Sequence, residues 1–247
     1  MTSSERRHDD RGVNPATDPP VSPAPRTAPY RQVVTRPVLH VPGDALPWFP
    51  RPYPGAPPIP AEFVRAAAVP LDRAGLLQQA PISAVLVPIL EREGDAHVLL
   101  TRRSSRLSLD PGNISFPGGH LEPGEHPLDA ALREAEEEIG LAPADVEIVG
   151  SLDLVERLRD HQRVASVVGL VRGNPELSAS ESEVEAILEV PLSALLAEGS
   201  AWEEHWGETR RAVRFFTHET ALGDDLVWGL TARILWDLLE RVARQLR

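Results

Sequence analysis

The sequence predicts an α/β protein: a mixed sheet covered by helices on both faces, behind a proline-rich N-terminal extension. Three observations carry this. Prolines crowd the start of the chain, 15 of the 25 falling in the first 60 residues. Short β-branched runs then alternate with turn residues around one helix-like stretch, residues 127–139. The chain closes on about twenty residues with apolar side chains at helical spacing. Strands that flank one central and one terminal helix bury both faces of their sheet most simply as layers.

Residues 1–60 read as a tail, mostly disordered or extended, because proline lacks the N–H that helix interiors and central strands need. Its aromatic cluster, Trp48-Phe49-Pro50-Arg51-Pro52-Tyr53, suits docking on its own domain or a partner that binds extended proline-rich segments. Residues 61–80 form a short helical lead-in, with pieces at Ala61–Ala68 and Leu71–Gln79. The domain proper is 81–247. Ile82–Glu91 and His97–Arg102 read as strands joined by a turn at Gly94-Asp95. A loop rich in Ser, Pro and Gly runs from Arg103 to Gly124. Pro127–Ile139 is the strongest helix, with proline suited to its first turn and Gly140 just past its end. Strands follow at Val146–Leu154, Val164–Val171, Val184–Val190 and Val213–Thr217. Val227–Leu246 is the terminal helix, with Leu230, Ile234, Leu235, Leu238 and Val242 on one side.

Composition narrows the function. A chain of 247 residues, 42% hydrophobic, supplies one ordinary core. Net charge is −12, a poor match to nucleic acid, which needs a basic surface. A phosphorylated substrate remains compatible, since a multivalent cation can mediate between carboxylates and phosphates. The absence of cysteine excludes disulfides, thiolate zinc sites and a catalytic thiol. No apolar run approaches the roughly 20 residues of a membrane span, and no hydrophobic segment follows the N-terminal charges. A cytoplasmic location is therefore expected.

The chemistry lies in residues 119–141, GHLEPGEHPLDAALREAEEEIGL. Glu134, Glu137 and Glu138 are three and four positions apart and project from one side of one helix, where like charges repel by a few tenths of a kcal/mol per pair. Glu122, Glu125, Asp129 and Glu136 add acid, and Arg133 is the helix's one cation. An exposed acidic helix is the ordinary outcome of such a run. Hard divalent cations are the alternative: magnesium shares its oxygen ligands between carboxylates and substrate phosphates.

The whole pattern resembles the Nudix box, G-x5-E-x7-R-E-U-x-E-E-x-G-U with U aliphatic. Gly119, Glu125, Arg133-Glu134, Glu137-Glu138, Gly140 and Leu141 hold its positions, and Ala135 fills the first aliphatic place. The resemblance implies a Nudix-type α/β/α sandwich and a Mg2+- or Mn2+-dependent hydrolase that cuts a nucleoside diphosphate linkage. It implies Glu134 and Glu138 as main metal ligands with Glu137 a third. It implies Arg133 as the residue orienting them, and Glu125 as a helper at the helix start.

Upstream, Leu99-Leu100-Thr101-Arg102-Arg103-Ser104, Gly112 and Phe116-Pro117-Gly118-Gly119 resemble the signature of coenzyme A pyrophosphatases, a Nudix subgroup. Ser108 stands where that signature has a second arginine, with Arg106 two residues away. The resemblance implies that Arg103, and Arg102 beside it, serve a phosphate of the substrate. Coenzyme A carries a 3′-phosphate besides its diphosphate, and a guanidinium fork suits phosphate. Strand alternation turns only one of these two neighbours inward, and Arg103 holds the motif position. Glu183, in Ser-Glu-Ser-Glu-Val-Glu, resembles the additional acid that such enzymes place outside the box, with Glu181 and Glu185 as competitors. The substrate classes in play are coenzyme A or acyl-coenzyme A, and ADP-ribose- or NADH-type dinucleotides. A regulatory module on the same fold is the third reading. The expected partner is a small nucleotide, without nucleic acid or membrane; a homodimer is compatible with all three.

Overall fold

A computed structural model describes residues 32, 34–43, 57–157, 160–217 and 225–246. In chain order its elements are β1 (His40–Pro42), α1 (Ala61–Ala67), α2 (Arg73–Gln78), β2 (Ser83–Arg92), β3 (Asp95–Arg103), β4 (Ile114–Ser115), β5 (Gly118–His120) and α3 (Pro127–Ile139). A 3-10 turn at Pro143–Asp145 leads to β6 (Val146–Ser151), β7 (Val155–Glu156), β8 (Arg163–Val171), β9 (Val184–Pro191), α4 (Leu192–Leu195), β10 (Ala201–Trp206), β11 (Arg211–Phe216), β12 (Val227–Trp228) and α5 (Gly229–Gln245).

The larger sheet runs β4-β3-β2-β8-β6, with β5 on β2, β7 on β8 and β9 on β3. It is mixed: β2 and β8 are parallel and the other pairs antiparallel. The β2–β3 hairpin turns on Glu93 and Gly94, both at positive φ, one residue earlier than the sequence places it. That is the turn whose twist matches paired strands.

Both faces of this sheet are covered, which is why β2 reads as a nearly continuous apolar run. Ala84, Leu86, Leu99, Ala165 and Val167 pack against Leu128, Ala131, Ala135 and Ile139 of α3. The alternate residues Val87, Ile89, Val98, Leu100 and Val168 pack against Ile234, Leu235, Leu238 and Val242 of α5 and Val64 of α1. Each fully buried aliphatic side chain contributes about 1.5–3 kcal/mol. This confirms the expected α/β class, with helices on both faces of a mixed sheet.

A second, antiparallel sheet, β1-β10-β11-β12, was not expected from the sequence. Its strand β10 hides two glutamates mid-strand. Glu203 accepts from Arg214 Nε at 3.1 Å and lies 3.1 Å from His205 Nε2. Glu204 accepts from Arg36 and from the indole N–H groups of Trp202 and Trp206, at 2.8–3.1 Å. Two adjacent acids interrupt the apolar pattern of a strand, and Arg36, the cation on Glu204, lies 168 residues away. Part of the stretch expected as a tail belongs to this sheet, since β1 pairs with β10 through His40, Val41 and Pro42. The Trp48–Tyr53 cluster lies outside the described residues. The strand expected over 146–154 stops at Ser151, and β7 resumes pairing with β8.

Candidate functional site

The site forms where β5 passes between β2 and α3. The helix begins at His126, whose Nδ1 accepts the Leu128 N–H at 3.1 Å, with Pro127 in the first turn. It ends at Gly140, left-handed at φ +69, a conformation that suits glycine. Two glycines allow the close approach of β5. A Cβ on Gly118 would lie 2.4 Å from the Ala84 carbonyl oxygen, and one on Gly119 would lie 2.3 Å from Glu134 Oε1.

Arg133 is the hub of the acidic helix. Its Nε and Nη2 donate to the two oxygens of Glu125 at 2.9 and 3.1 Å. Its Nη1 donates to Glu134 Oε1 and to Glu137 Oε2, both at 3.0 Å, and Nη2 also reaches the His120 carbonyl at 3.1 Å. Glu125 is itself fixed by the Glu122 N–H at 2.8 Å. The fork geometry holds a carboxylate squarely, so Arg133 locks the loop 120–125 onto the helix. These bonds raise its pKa, Glu125 contributing most, and lower that of Glu125.

The three box glutamates differ in environment. Glu137 is exposed and stands at the rim on Arg133. Glu134 is half-buried; burial raises its pKa first, and the charges of Glu137 and Glu183 add to this against the pull of Arg133. Glu138 is 3% exposed. Its carboxyl accepts from the Gly118 N–H at 3.3 Å. Burial pushes its carboxyl up to about 8, with Glu134 and Glu183 raising it and Gly118 and Arg103 opposing. Glu183, from the turn before β9, is thus close enough for its charge to act on both.

Among the described residues no three acidic or histidine side chains converge into a complete ligand set. Two neighbouring carboxylates, one buried and short of donors, fit instead a hard cation that completes its shell with water and substrate phosphate. Their mutual repulsion is what such a charge would relieve.

The two arginines at the end of β3 face opposite ways, as alternation requires. Arg103 turns toward α3, where its charge acts on Glu138. Arg102 turns to the other face and binds Asp225, donating from Nε to Oδ2 at 2.7 Å, with Glu185 Oε1 at 3.9 Å. No sequence signal marks Asp225 as its partner, 123 residues away. Arg106 and Ser108 are exposed in the loop between β3 and β4.

A family model described as the NUDIX domain matches residues 80–211. Nudix hydrolase 22, chloroplastic, of Arabidopsis thaliana is 41% identical over 162 residues, covering 62% of this chain and 52% of that protein. A protein of Citrobacter koseri named "Uncharacterized Nudix hydrolase NudL" is 37% identical over 161 residues, covering 63% of this chain and 80% of that one. The chain thus spans about half the length of the plant relative and four-fifths of the bacterial one. A Nudix hydrolase of M. smegmatis, RenU, superposes with a TM-score of 0.46 at 18% identity, over 68% of this chain and 88% of that structure.

Proposed function

Because the chain belongs to the Nudix family, we propose that it hydrolyses the diphosphate linkage of a nucleoside diphosphate derivative, with coenzyme A or an acyl-coenzyme A as substrate. One observation carries this reading. Three separate segments meet beside the glycine pair of β5: Gly119 closes on Glu134 and the Gly118 N–H donates to Glu138, while the charge of Glu183 acts on both glutamates and that of Arg103 on Glu138.

Glu134 and Glu138 would hold the divalent cation, Mg2+ or Mn2+, with Glu137 reaching in from the rim. When bound, the cation supplies positive charge to the diphosphate oxygens and favours ionised water. Arg133 keeps Glu134 and Glu137 oriented and the loop 120–125 closed. Glu183, exposed on its turn, takes the proton from the attacking water. Water adds to one phosphorus as the bridging P–O bond breaks, giving adenosine 3′,5′-bisphosphate and 4′-phosphopantetheine or its acyl form. Arg103 binds a phosphate of the substrate, the 3′-phosphate in this reading. Arg102 supports it from the far side of the strand, through Asp225 and Glu185.

The test is turnover of coenzyme A, dephospho-coenzyme A, ADP-ribose and NADH, with magnesium and with chelator. Coenzyme A should be preferred, and chelator should abolish activity. Arg103→Ala should reduce coenzyme A cleavage by about ten- to a hundredfold, the worth of a charge-assisted hydrogen bond, and spare dephospho-coenzyme A. A preference for ADP-ribose or NADH would overturn the substrate, with the Ser108 departure as its reason. Turnover in chelator would overturn the metal.

A further inference from the structure

Gln32 is distant from the site in sequence, yet it joins two of the site's loops. Its side-chain Nε2 donates to Asn113 Oδ1 at 3.1 Å, and its Oε1 accepts the Leu226 N–H at 3.0 Å. Both ends of one amide are therefore taken by segments 81 and 194 residues away. Asn113 is placed at the end of β3: its carbonyl accepts the Arg103 N–H at 3.0 Å, and the Gly112 N–H donates to the Arg103 carbonyl at 3.1 Å. Leu226 follows Asp225, the partner of Arg102. One side chain thus bridges the backbone that holds Arg103 and the segment that holds Arg102.

The residues after Gln32 are tied down independently. Arg36 clasps both oxygens of Glu204 at 3.0 and 2.9 Å and lies 5.1 Å over the ring of Phe215. Phe215 stacks on Trp202 with ring centroids 5.1 Å apart. β1 pairs with β10, and the Gly43 N–H donates to the Glu203 carbonyl at 2.8 Å. Covering the second sheet needs none of the contacts made by Gln32. The contact to Leu226 lies at the start of β12, and the contact to Asn113 reaches past that sheet to the segment between β3 and β4.

We propose that residues 34–43, with Gln32 at their head, form a strap that completes the substrate site. In it Gln32 is a positioning residue that sets Arg103 through Asn113. This rests on the reading above that Arg103 binds a substrate phosphate. The strap supplies no reacting group. It fixes the end of β3 through the backbone hydrogen bonds between Asn113, Gly112 and Arg103.

The experiment compares full-length wild type with Gln32→Ala, Gln32→Glu, Asn113→Ala and the Gln32→Ala/Asn113→Ala pair. Losing one positioning hydrogen bond should raise KM for coenzyme A about fivefold, with kcat held within about twofold. Action through Asn113 makes the double variant no worse than either single one. Gln32→Glu keeps the acceptor for Leu226 and can accept from Asn113 once that amide turns over, so its KM should lie between those of wild type and Gln32→Ala. Hydrogen exchange at the Arg103 and Gly112 amides should quicken in each Gln32 variant. Additive effects, an unchanged KM in Gln32→Ala, or equal loss of kcat would overturn the proposal. Should the protein turn over none of the substrates tried, the function reading fails by itself. The exchange measurement still decides the strap, and unchanged protection at those two amides would refute it.

Discussion

Replacing Glu138 by glutamine should stabilise the protein in the absence of metal and abolish turnover in its presence. The carboxyl is 3% exposed and pushed from 4.5 up to about 8, chiefly by burial. Because the folded value lies above the unfolded one, the protonated form is favoured by folding. The stability this group contributes is complete below pH about 4.5 and is lost as pH rises toward about 8. A shift of that size corresponds to about 5 kcal/mol between the two limits. An amide in the same place still needs hydrogen-bond partners, which offsets about half of it. A net gain of about 2 kcal/mol at pH 8 is expected for Glu138→Gln, a rise of about 4–8 °C in Tm for a domain of this size. The assay is thermal unfolding of both proteins in chelator at several pH values from about 5 to 9. Because the cost of the amide does not vary with pH, the variant should be the less stable of the two at the acid end, and the curves should cross and separate in its favour toward alkaline pH. With magnesium and substrate, the same variant should lose about a hundredfold or more in rate. A variant less stable than wild type at pH 8 in chelator, or a difference that does not vary with pH, would refute the argument that burial governs this carboxyl.

Three further outcomes follow from the same geometry. Gly119→Ala places a Cβ against the flexible end of Glu134 rather than against backbone, so kcat should fall about tenfold or more while Tm holds. A large loss of Tm instead would locate the role of Gly119 in β5 packing. Arg133→Ala leaves Glu125, Glu134 and Glu137 without their shared cation. Urea unfolding should show a loss of about 2 kcal/mol, and unchanged stability would mean that the fork contributes orientation alone. Glu204 is held at about 2, where burial, which raises it, is outweighed by Arg36, Trp206 and Trp202. Its folded value lies below the unfolded one, so its contribution is present above pH about 4.5 and lost as pH falls toward 2. Glu204→Gln should flatten the acid limb of unfolding followed by tryptophan fluorescence, and an unaltered limb would show that other carboxylates control it.

Much of the larger sheet and of the acidic helix α3 was legible because their signals are local. Pro127 and Gly140 bound α3 at both ends, and β2, β3, β8 and β9 each carry their own apolar run. The spacing of Glu134, Glu137 and Glu138 along one helix is likewise a property of neighbours. Of the second sheet only β11 was legible, as the strand expected over Val213–Thr217. Strand β10 carries Glu203 and Glu204, whose partners Arg214 and Arg36 come from elsewhere in the chain. Strand β1 lies among prolines and is a strand only because β10 offers it an edge.

By itself the sequence determined the α/β class, the bounds of α3 and which residue types gather along it, since helical and strand periodicities are written in adjacent positions. Tertiary structure alone decided how those residues differ. It buried Glu138 and left Glu137 at the rim, turned Arg103 toward the acids and Arg102 toward Asp225, brought Glu183 to the pair, and set Gln32 against Asn113. Burial and charge proximity belong to pairs of distant segments, and no local pattern encodes which segments will meet.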